Sequence, residues 1–212
     1  MAFSGGKDSL VVMDLVRKID ASVKGVFGNT GVEYPETVEF VHMFDNIVEL
    51  HPEKSFWQIV REEKEAGHGN GFPGMKSKSH RRENECCFWL KEKPSKEYYK
   101  KENIDLVFTG ITANESRNRM MMLKFRGSYY KHKNTPIYKC HPIAFWSESD
   151  VWTYIKTNNI LYNPVYDTGM DRTGCRYCTA YPIWKKNMEL YDPKDVKLVM
   201  KKMGYKLLDA FL

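Results

Sequence analysis

The chain has 212 residues, of which 42% are hydrophobic and 28% charged, and it carries a net charge of +6 at pH 7. This size is most simply one domain with a substantial core, and the composition excludes a low-complexity or disordered chain. No apolar run is long enough to span a membrane and the start does not resemble a leader, so a cytoplasmic protein without membrane contact is expected. The mild basic excess suits a polyanionic ligand and permits a nucleic-acid partner without requiring one.

In chain order, Met1, Ala2 and Phe3 form a strand of unusual shortness, since a buried central strand normally has about five or six residues. Natural sequence is therefore expected upstream. Ser4-Gly5-Gly6-Lys7-Asp8-Ser9 comes next, and then Leu10, Val11, Met13, Leu15, Val16 and Ile19 recur at helical spacing. The glycine pair lets the backbone turn tightly. A helix N-terminus behind such a turn is an anion site, because its unpaired N–H groups and its dipole favour negative charge. Lys7 adds a cation and Ser4 and Ser9 add hydroxyls, which together suit a pyrophosphate.

A strand is expected over 23–27, then the loop Gly28-Asn29-Thr30-Gly31, a helix over 34–44 with Pro35 in its first turn, and a strand over 47–50. Ser55 caps a helix to residue 64. Residues 66–80, rich in Gly, Ser and Lys, read as a loop. A helix over 83–93 is interrupted at Pro94 and resumes over 95–102. Strands follow over 105–109, ending at Gly110, and over 137–143. Ser147 caps a helix to about residue 158, with Trp146, Val151, Trp152 and Ile155 on its apolar side. Alternating strands and helices imply an α/β fold, a mostly parallel sheet with helices on both faces. Ligands bind such sheets beyond the carboxyl ends of the strands, where the 4–9 loop, the 28–31 loop and Gly110 are expected to converge.

Five cysteines are present: Cys86, Cys87, Cys140, Cys175 and Cys178. In a cytosolic chain cysteines more often bind metal or react than form disulfides. The vicinal Cys86-Cys87 pair and the C-x-x-C turn at Cys175 and Cys178 make a four-thiolate set suited to zinc or an iron–sulfur cluster, with free thiols as the plain alternative. Neighbouring side chains on a helix point about 100° apart, which suits the separated iron corners of a cluster better than one tetrahedral zinc. Cys140 reads as a small buried strand residue, and Glu36 and Glu115 as structural carboxylates. His51, His68, His80 and His141 show no ligand spacing. Lys76, Lys78, Arg81 and Arg82 form a basic run, either a solvated face or a lid or nucleic-acid contact.

The loop at 4–9 is not the Walker pattern; it resembles the S-G-G-x-D-S PP-loop of the adenine nucleotide alpha-hydrolase (HUP-type) superfamily, whose members cleave ATP between the alpha and beta phosphates. The C-C and C-x-x-C arrangement, with Lys91 and Pro94 after the pair, resembles the [4Fe-4S] site of adenylylsulfate (APS) reductases. Asn29-Thr30-Gly31 with Tyr34-Pro35-Glu36-Thr37 is similar to the D-T-G and P-E-T segments of the phosphoadenylylsulfate (PAPS) reductase family, Asn29 replacing the usual aspartate. The stretch Gly110-Ile111-Thr112-Ala113-Asn114-Glu115-Ser116 resembles G-x-R-x-x-E-S, with Thr112 where an arginine is common. Trp146-Ser147-Glu148-Ser149-Asp150-Val151-Trp152 resembles the family's W-[ST]-x-x-D-V-W helix. These motifs span roughly residues 2–185, so the domain is placed at 1–185, including the cluster segment, with a C-terminal helical tail at 186–212.

The resemblance implies that Phe3, Ser4, Gly5, Gly6, Lys7, Asp8, Ser9, Asn29, Thr30, Gly31, Gly110 and Ile111 bind the adenine nucleotide. Cys86, Cys87, Cys175 and Cys178 would hold the cluster, and Lys91 would lie near cluster and substrate. Lys7, Asp8, Arg117 and Arg119 take the catalytic roles. Family reductases attack sulfur with a cysteine near the C-terminus, in a segment like E-C-G-[IL]-H, and no cysteine follows Cys178 in this sequence. With Lys7 in the loop, the expected activity is an ATP pyrophosphatase using Mg²⁺ that adenylates an acceptor for sulfur transfer. The acceptor could be a nucleic acid and the sulfur donor a protein. An APS or PAPS reductase, taking its nucleophile from Cys140, a partner or a missing tail, is the second expectation. A non-catalytic nucleotide- and cluster-binding subunit is the third. A homodimer is the assembly considered.

Overall fold

The Ala2 amide donates to the Phe108 carbonyl (2.9 Å), while on the other side Phe3 N donates to Val26 O (2.9 Å) and Val26 N to Met1 O (2.8 Å). Ala2 thus pairs in parallel with Val26, and residues 1–3 occupy the centre of the sheet, as their apolar character requires. The computed structural model describes residues 1–72, 85–133, 135–181 and 183–205. The basic run at Lys76, Lys78, Arg81 and Arg82, most of the 66–80 loop and the last residues of the tail lie outside these.

Strand β1 (Gly25–Gly28) pairs with β2 (Ile47–Leu50), while β5 (Tyr138–Cys140) lies between β3 (Leu106–Phe108) and β4 (Tyr129–Lys131). The β3–β5 pairing is parallel and β4 runs antiparallel at the edge. Through residues 1–3 the two ladders join. The fold is therefore α/β with a largely parallel sheet and helices, as the alternation predicts; the antiparallel strand β4 was not expected.

Contacts divide the chain into two compact units, Met1–Phe27, Glu36–Leu50 and Ser95–Pro164 in the first, and Gly28–Pro35, His51–Pro94 and Val165–Leu212 in the second. The first unit holds the sheet. Its helix α1 (Lys7–Arg17) buries Leu10, Val11, Val12, Met13 and Val16, with Asp8 in the first turn and Arg17 in the last, each matched to the helix dipole. Together with Phe3, Phe40 from α2 (Pro35–His42), and Val151 and Ile155 from α7 (Glu148–Thr157), these side chains form one core. Burying each contributes roughly 1.5–3 kcal/mol. A second small core joins Ala113, Leu123 and Ala144, beneath α6 (Arg117–Arg126). Ser147 caps α7 reciprocally with Asp150, the box that its sequence predicts. Trp146 and Trp152 pack half-buried against the main core.

The second unit is helical. Ser55 caps α3 (Phe56–Glu65), its hydroxyl accepting from Gln58 N. Its core gathers Phe56, Ile59, Phe72, Leu90, Met188 and Val199, drawn partly from α8 (Trp184–Tyr191) and α9 (Pro193–Met203). The sequence reading that Pro94 breaks the preceding helix needs correction. Helix α4 (Glu85–Cys87) runs through a π turn, Phe88–Glu92, directly into α5 (Lys93–Lys101). Proline lacks the N–H that would bond to residue 90 and its ring crowds that carbonyl. In the wide turn, Lys93 N donates five residues back to Phe88 O, so the helix passes the proline without a break.

Candidate functional site

In the first unit the loop at residues 4–9 leaves the sheet and enters α1. Gly5 sits at φ 71°, a left-handed conformation that favours glycine, and a Cβ there would press on Thr37 Cγ2 and Val41 Cγ2 at 3.0 Å. Gly6 is the N-cap residue and offers no side chain to the first turn. The two serines brace each other: Ser9 Oγ accepts from Ser4 N (3.2 Å) and donates to Gly6 O (2.9 Å). Ser4 Oγ lies 3.1 Å from Ser9 Oγ and accepts from Gly6 N at 3.4 Å. They hold the loop's shape as well as offering hydroxyls.

Lys7 is 8% exposed, with its ammonium 3.3 Å from Asp8 Oδ2 and 3.4 Å from Glu148 Oε1. A buried cation at the mouth of a helix N-terminus strengthens attraction for a phosphate chain. Gly110 rests on this turn: a Cβ there would lie 2.6 Å from the Asp8 carbonyl carbon and 2.7 Å from Ser9 N. Ile111 is half-buried beside the Ala113 core, and Phe3 is buried edge-on to Phe44.

Asn163 was not anticipated. Buried to 1% exposure, its amide donates to Gly5 O (3.1 Å) and to Thr37 Oγ1 (2.8 Å). It fastens the loop to α2 from 158 residues away in sequence, and no local pattern could reveal that pairing.

Arg117 and Arg119 occupy the first turn of α6, capped by Ser116, whose hydroxyl accepts from Arg119 N. Arg119 is ion-paired with Glu115, whose carboxylate also accepts from Thr112 N in a capping box. Glu115 is thus the structural carboxylate its sequence suggests. Cations in a first turn oppose the helix dipole, an arrangement that a bound anion would relieve. His141, buried at the end of β5, shares a 2.6 Å hydrogen bond with the Thr109 hydroxyl. Burial, and after it the Lys139 charge, lowers its pKa to about 4.

The second unit brings the Asn29–Thr30–Gly31 loop together with Cys175. Asn29 Oδ1 accepts from Gly31 N (3.0 Å), and Gly31 takes φ 74°. The Thr30 hydroxyl donates to Glu33 Oε1 (2.9 Å) and accepts from the Cys175 thiol (3.5 Å). Lys91 Nζ, from the π turn, lies 3.4 Å from the same buried Glu33 carboxylate. Backbone pairing of Glu33 with Cys175, and Arg176 N donating to Val32 O (2.7 Å), align the two loops. Glu33 was missed by the sequence reading. It is the carboxylate through which Lys91, Thr30 and Cys175 meet.

Arg176, inside the C-x-x-C turn, donates through two nitrogens to Asp195 of α9. Asp195 is 3% exposed, so the pair fixes the cysteine turn onto the helical core. This bond first, against the opposing effect of burial, raises the Arg176 pKa.

Cys86 is buried and Cys87, Cys175 and Cys178 are half-buried, while Cys140 belongs to the first unit. The Cys86–Cys87 hydrogen bond holds the proton on Cys86 and favours a thiolate on Cys87, which the Lys91 charge assists. Burial pushes Cys175 up to about 11 and raises Cys178 as well. Removal from water works against the charge on Lys91, but Glu33, Cys175 and Cys87 together outweigh it and raise its pKa. Among the described residues no three His, Cys, Asp or Glu side chains converge as they would on a single ion. The thiols of Cys87, Cys175 and Cys178 nonetheless all act electrostatically on Cys86. Cys86, Cys87, Cys175 and Cys178 belong to the same unit and supply soft donors of the kind that a metal or an iron–sulfur cluster takes.

Residues 1–181 match the phosphoadenosine phosphosulfate reductase domain. The Methanocaldococcus jannaschii protein MJ0973 is 33% identical over 183 residues, 84% of this chain and 41% of that protein. The chain thus spans about two fifths of that relative's length. An adenosine 5'-phosphosulfate reductase of Lysinibacillus sphaericus is 29% identical, over 84% of this chain and 72% of its own. The phosphoadenylyl-sulfate reductase of Candida auris, solved as a phosphate complex, superposes with a TM-score of 0.57 at 21% identity, covering 82% of this chain and 80% of that one. That likeness bears on the fold.

Proposed function

This chain belongs to the phosphoadenosine phosphosulfate reductase domain family, and from that premise we propose that it is an ATP-using PP-loop enzyme that adenylates an acceptor for sulfur transfer. The observation that carries this reading is Lys7, a buried cation in the first turn of α1 flanked by Asp8 and Glu148. An extra cation there suits the additional phosphate of a triphosphate. The loop N–H groups and Lys7 would hold the beta and gamma phosphates, with Mg²⁺ offsetting their charge. Asn29, Thr30, Gly31, Gly110 and Ile111 would hold the adenosine. An acceptor oxygen attacks the alpha phosphorus, the bond to the bridging oxygen breaks, and pyrophosphate leaves. Arg117 and Arg119 would stabilise the charge that develops. Asp8 would orient Lys7 and the metal.

Cys86, Cys87, Cys175 and Cys178 would hold a [4Fe-4S] cluster, which supplies structural support or a point for sulfur delivery. Lys91 and Glu33 then tie this site to the loop bearing Thr30. The cytoplasm, a sulfur-donor protein and a nucleic-acid acceptor complete the proposal; a homodimer is its simplest assembly.

The second reading is a sulfonucleotide reductase acting on APS or PAPS, favoured by the relative named adenosine 5'-phosphosulfate reductase. One experiment separates them. Pyrophosphate release from ATP is measured beside sulfite release from APS and PAPS with a thiol reductant, on anaerobically purified protein. Pyrophosphate with AMP left on an acceptor supports the first reading. Sulfite from either sulfonucleotide overturns it in favour of the second. ATP bound without turnover, with candidate acceptors present, leaves a nucleotide- and cluster-binding subunit.

A further inference from the structure

Residues 116–147 contain seven Lys or Arg and no Asp or Glu, so this one stretch more than accounts for the net charge of +6 of the whole chain. It folds as α6, β4 and β5 of the first unit. In the β4–β5 register Lys131 stands opposite Tyr138 and Tyr129 opposite Cys140. Side chains alternate across a strand, so Tyr129, Lys131 and Tyr138 share one face of the sheet edge. The rings of Tyr129 and Tyr138 are stacked, with centroids 5.4 Å apart and planes 11° from parallel. They are 58% and 37% exposed. The Lys131 ammonium lies 5.9 Å from the Tyr138 ring centre, and Lys131 and Lys133 are exposed. Tyr130 points the other way, against Met122 and Arg126 of α6. The largest side-chain charges acting on His132 are those of Lys139, Arg126 and Lys96, all positive.

A flat pair of exposed aromatic rings bordered by cations, on an edge strand in an acid-free segment, matches one ligand chemistry. Its charge complement is a polyanion, and its stacked rings require that polyanion to carry π faces as well. We propose that this face binds single-stranded nucleic acid, with bases stacking on Tyr129 and Tyr138 and phosphates meeting Lys131 and Lys133. An acidic peptide would satisfy the cations and leave the rings bare. A membrane surface would call for a broad aliphatic face, where the register places Tyr129, Lys131 and Tyr138 with a half-buried Cys140. The platform uses none of the residues assigned to the nucleotide loop or the cysteine site, so it stands independently of the adenylation reading.

The test is fluorescence anisotropy of a labelled mixed-sequence single-stranded oligonucleotide, RNA and DNA in parallel, titrated with the full chain over a series of salt concentrations. Binding with a steep salt dependence is expected. Tyr129→Ala with Tyr138→Ala should weaken it by about tenfold or more. Lys131→Gln, which leaves both rings, should flatten the salt slope by about one released ion. An unchanged circular-dichroism spectrum and urea midpoint in each variant control for folding. No binding at low salt, binding untouched by the tyrosine pair in correctly folded protein, preference for duplex, or capture by anionic vesicles in place of the oligonucleotide would each overturn the proposal.

Discussion

Lys91 and Glu33 form an ion pair, 3.4 Å apart, between the π turn that follows Cys87 and the loop that carries Thr30. The Glu33 side chain is 3% exposed and that of Lys91 41%, so the two ends of the pair are unequal. Removing the lysine leaves a buried carboxylate with only the Thr30 hydroxyl and the Cys175 thiol as donors. Because the lysine is half-exposed and screened by water, Lys91→Met should destabilise the protein by about 1–2 kcal/mol, read from urea unfolding. Glu33→Gln should cost less, because Thr30 and Cys175 can still bond to the amide. The double variant should recover part of the Lys91→Met loss; strict additivity would show that the pair is incidental.

Asn163 bears on the 4–9 loop from 158 residues further along the chain. Asn163→Ala leaves Gly5 O and the Thr37 hydroxyl without their shared donor. A loss of about 1–3 kcal/mol follows from such buried groups. Affinity for ATP should fall with it, because the loop's curvature depends on the clamp. Stability lost with ATP affinity intact would detach the clamp from binding.

Gly110 makes a sharper steric prediction. The Cβ of Gly110→Ala would lie within 2.8 Å of three backbone atoms of Asp8 and Ser9, and backbone cannot yield as a flexible side chain can. A cost of about 1–3 kcal/mol is expected, together with weaker nucleotide binding by calorimetry. A variant with wild-type melting temperature and affinity would mean that strand β3 and α1 separate freely.

His141 sets a pH dependence. Its folded pKa lies near 4 against an ordinary 6.5, so the folded protein binds this proton more weakly than the unfolded chain. Its contribution is therefore fully present above pH 6.5 and is lost as the pH falls towards 4. The urea midpoint should fall across that window, and His141→Gln, which keeps a polar partner for Thr109, should flatten the slope. An unchanged slope in the variant would assign the acid sensitivity elsewhere.

Much of the fold and part of the site could be read from residues that signal locally. The Ser55 and Ser147 caps, the glycine turn before α1 and Pro35 at the start of α2 each act within a few positions of themselves, and the structure bears them out. Pro94 misled because its conflict is resolved by a π turn, for which no residue pattern is diagnostic. Strand β4 was invisible because three residues, Tyr129–Lys131, carry too little alternation to register. Asn163, Glu33 and Asp195 escaped for a common reason: each gains its role from partners far away in sequence, Gly5, Lys91 and Arg176 respectively. Burial turns these ordinary polar residues into fasteners, and burial is a property of the fold.

The most direct measurement is calorimetric titration of anaerobically purified protein, its iron content recorded, with ATP and Mg²⁺, with APS and with PAPS. The proposed function predicts that ATP with Mg²⁺ binds most tightly and that Lys7→Met weakens ATP far more than APS. Tighter binding of APS or PAPS, with Lys7→Met affecting all three alike, would contradict it.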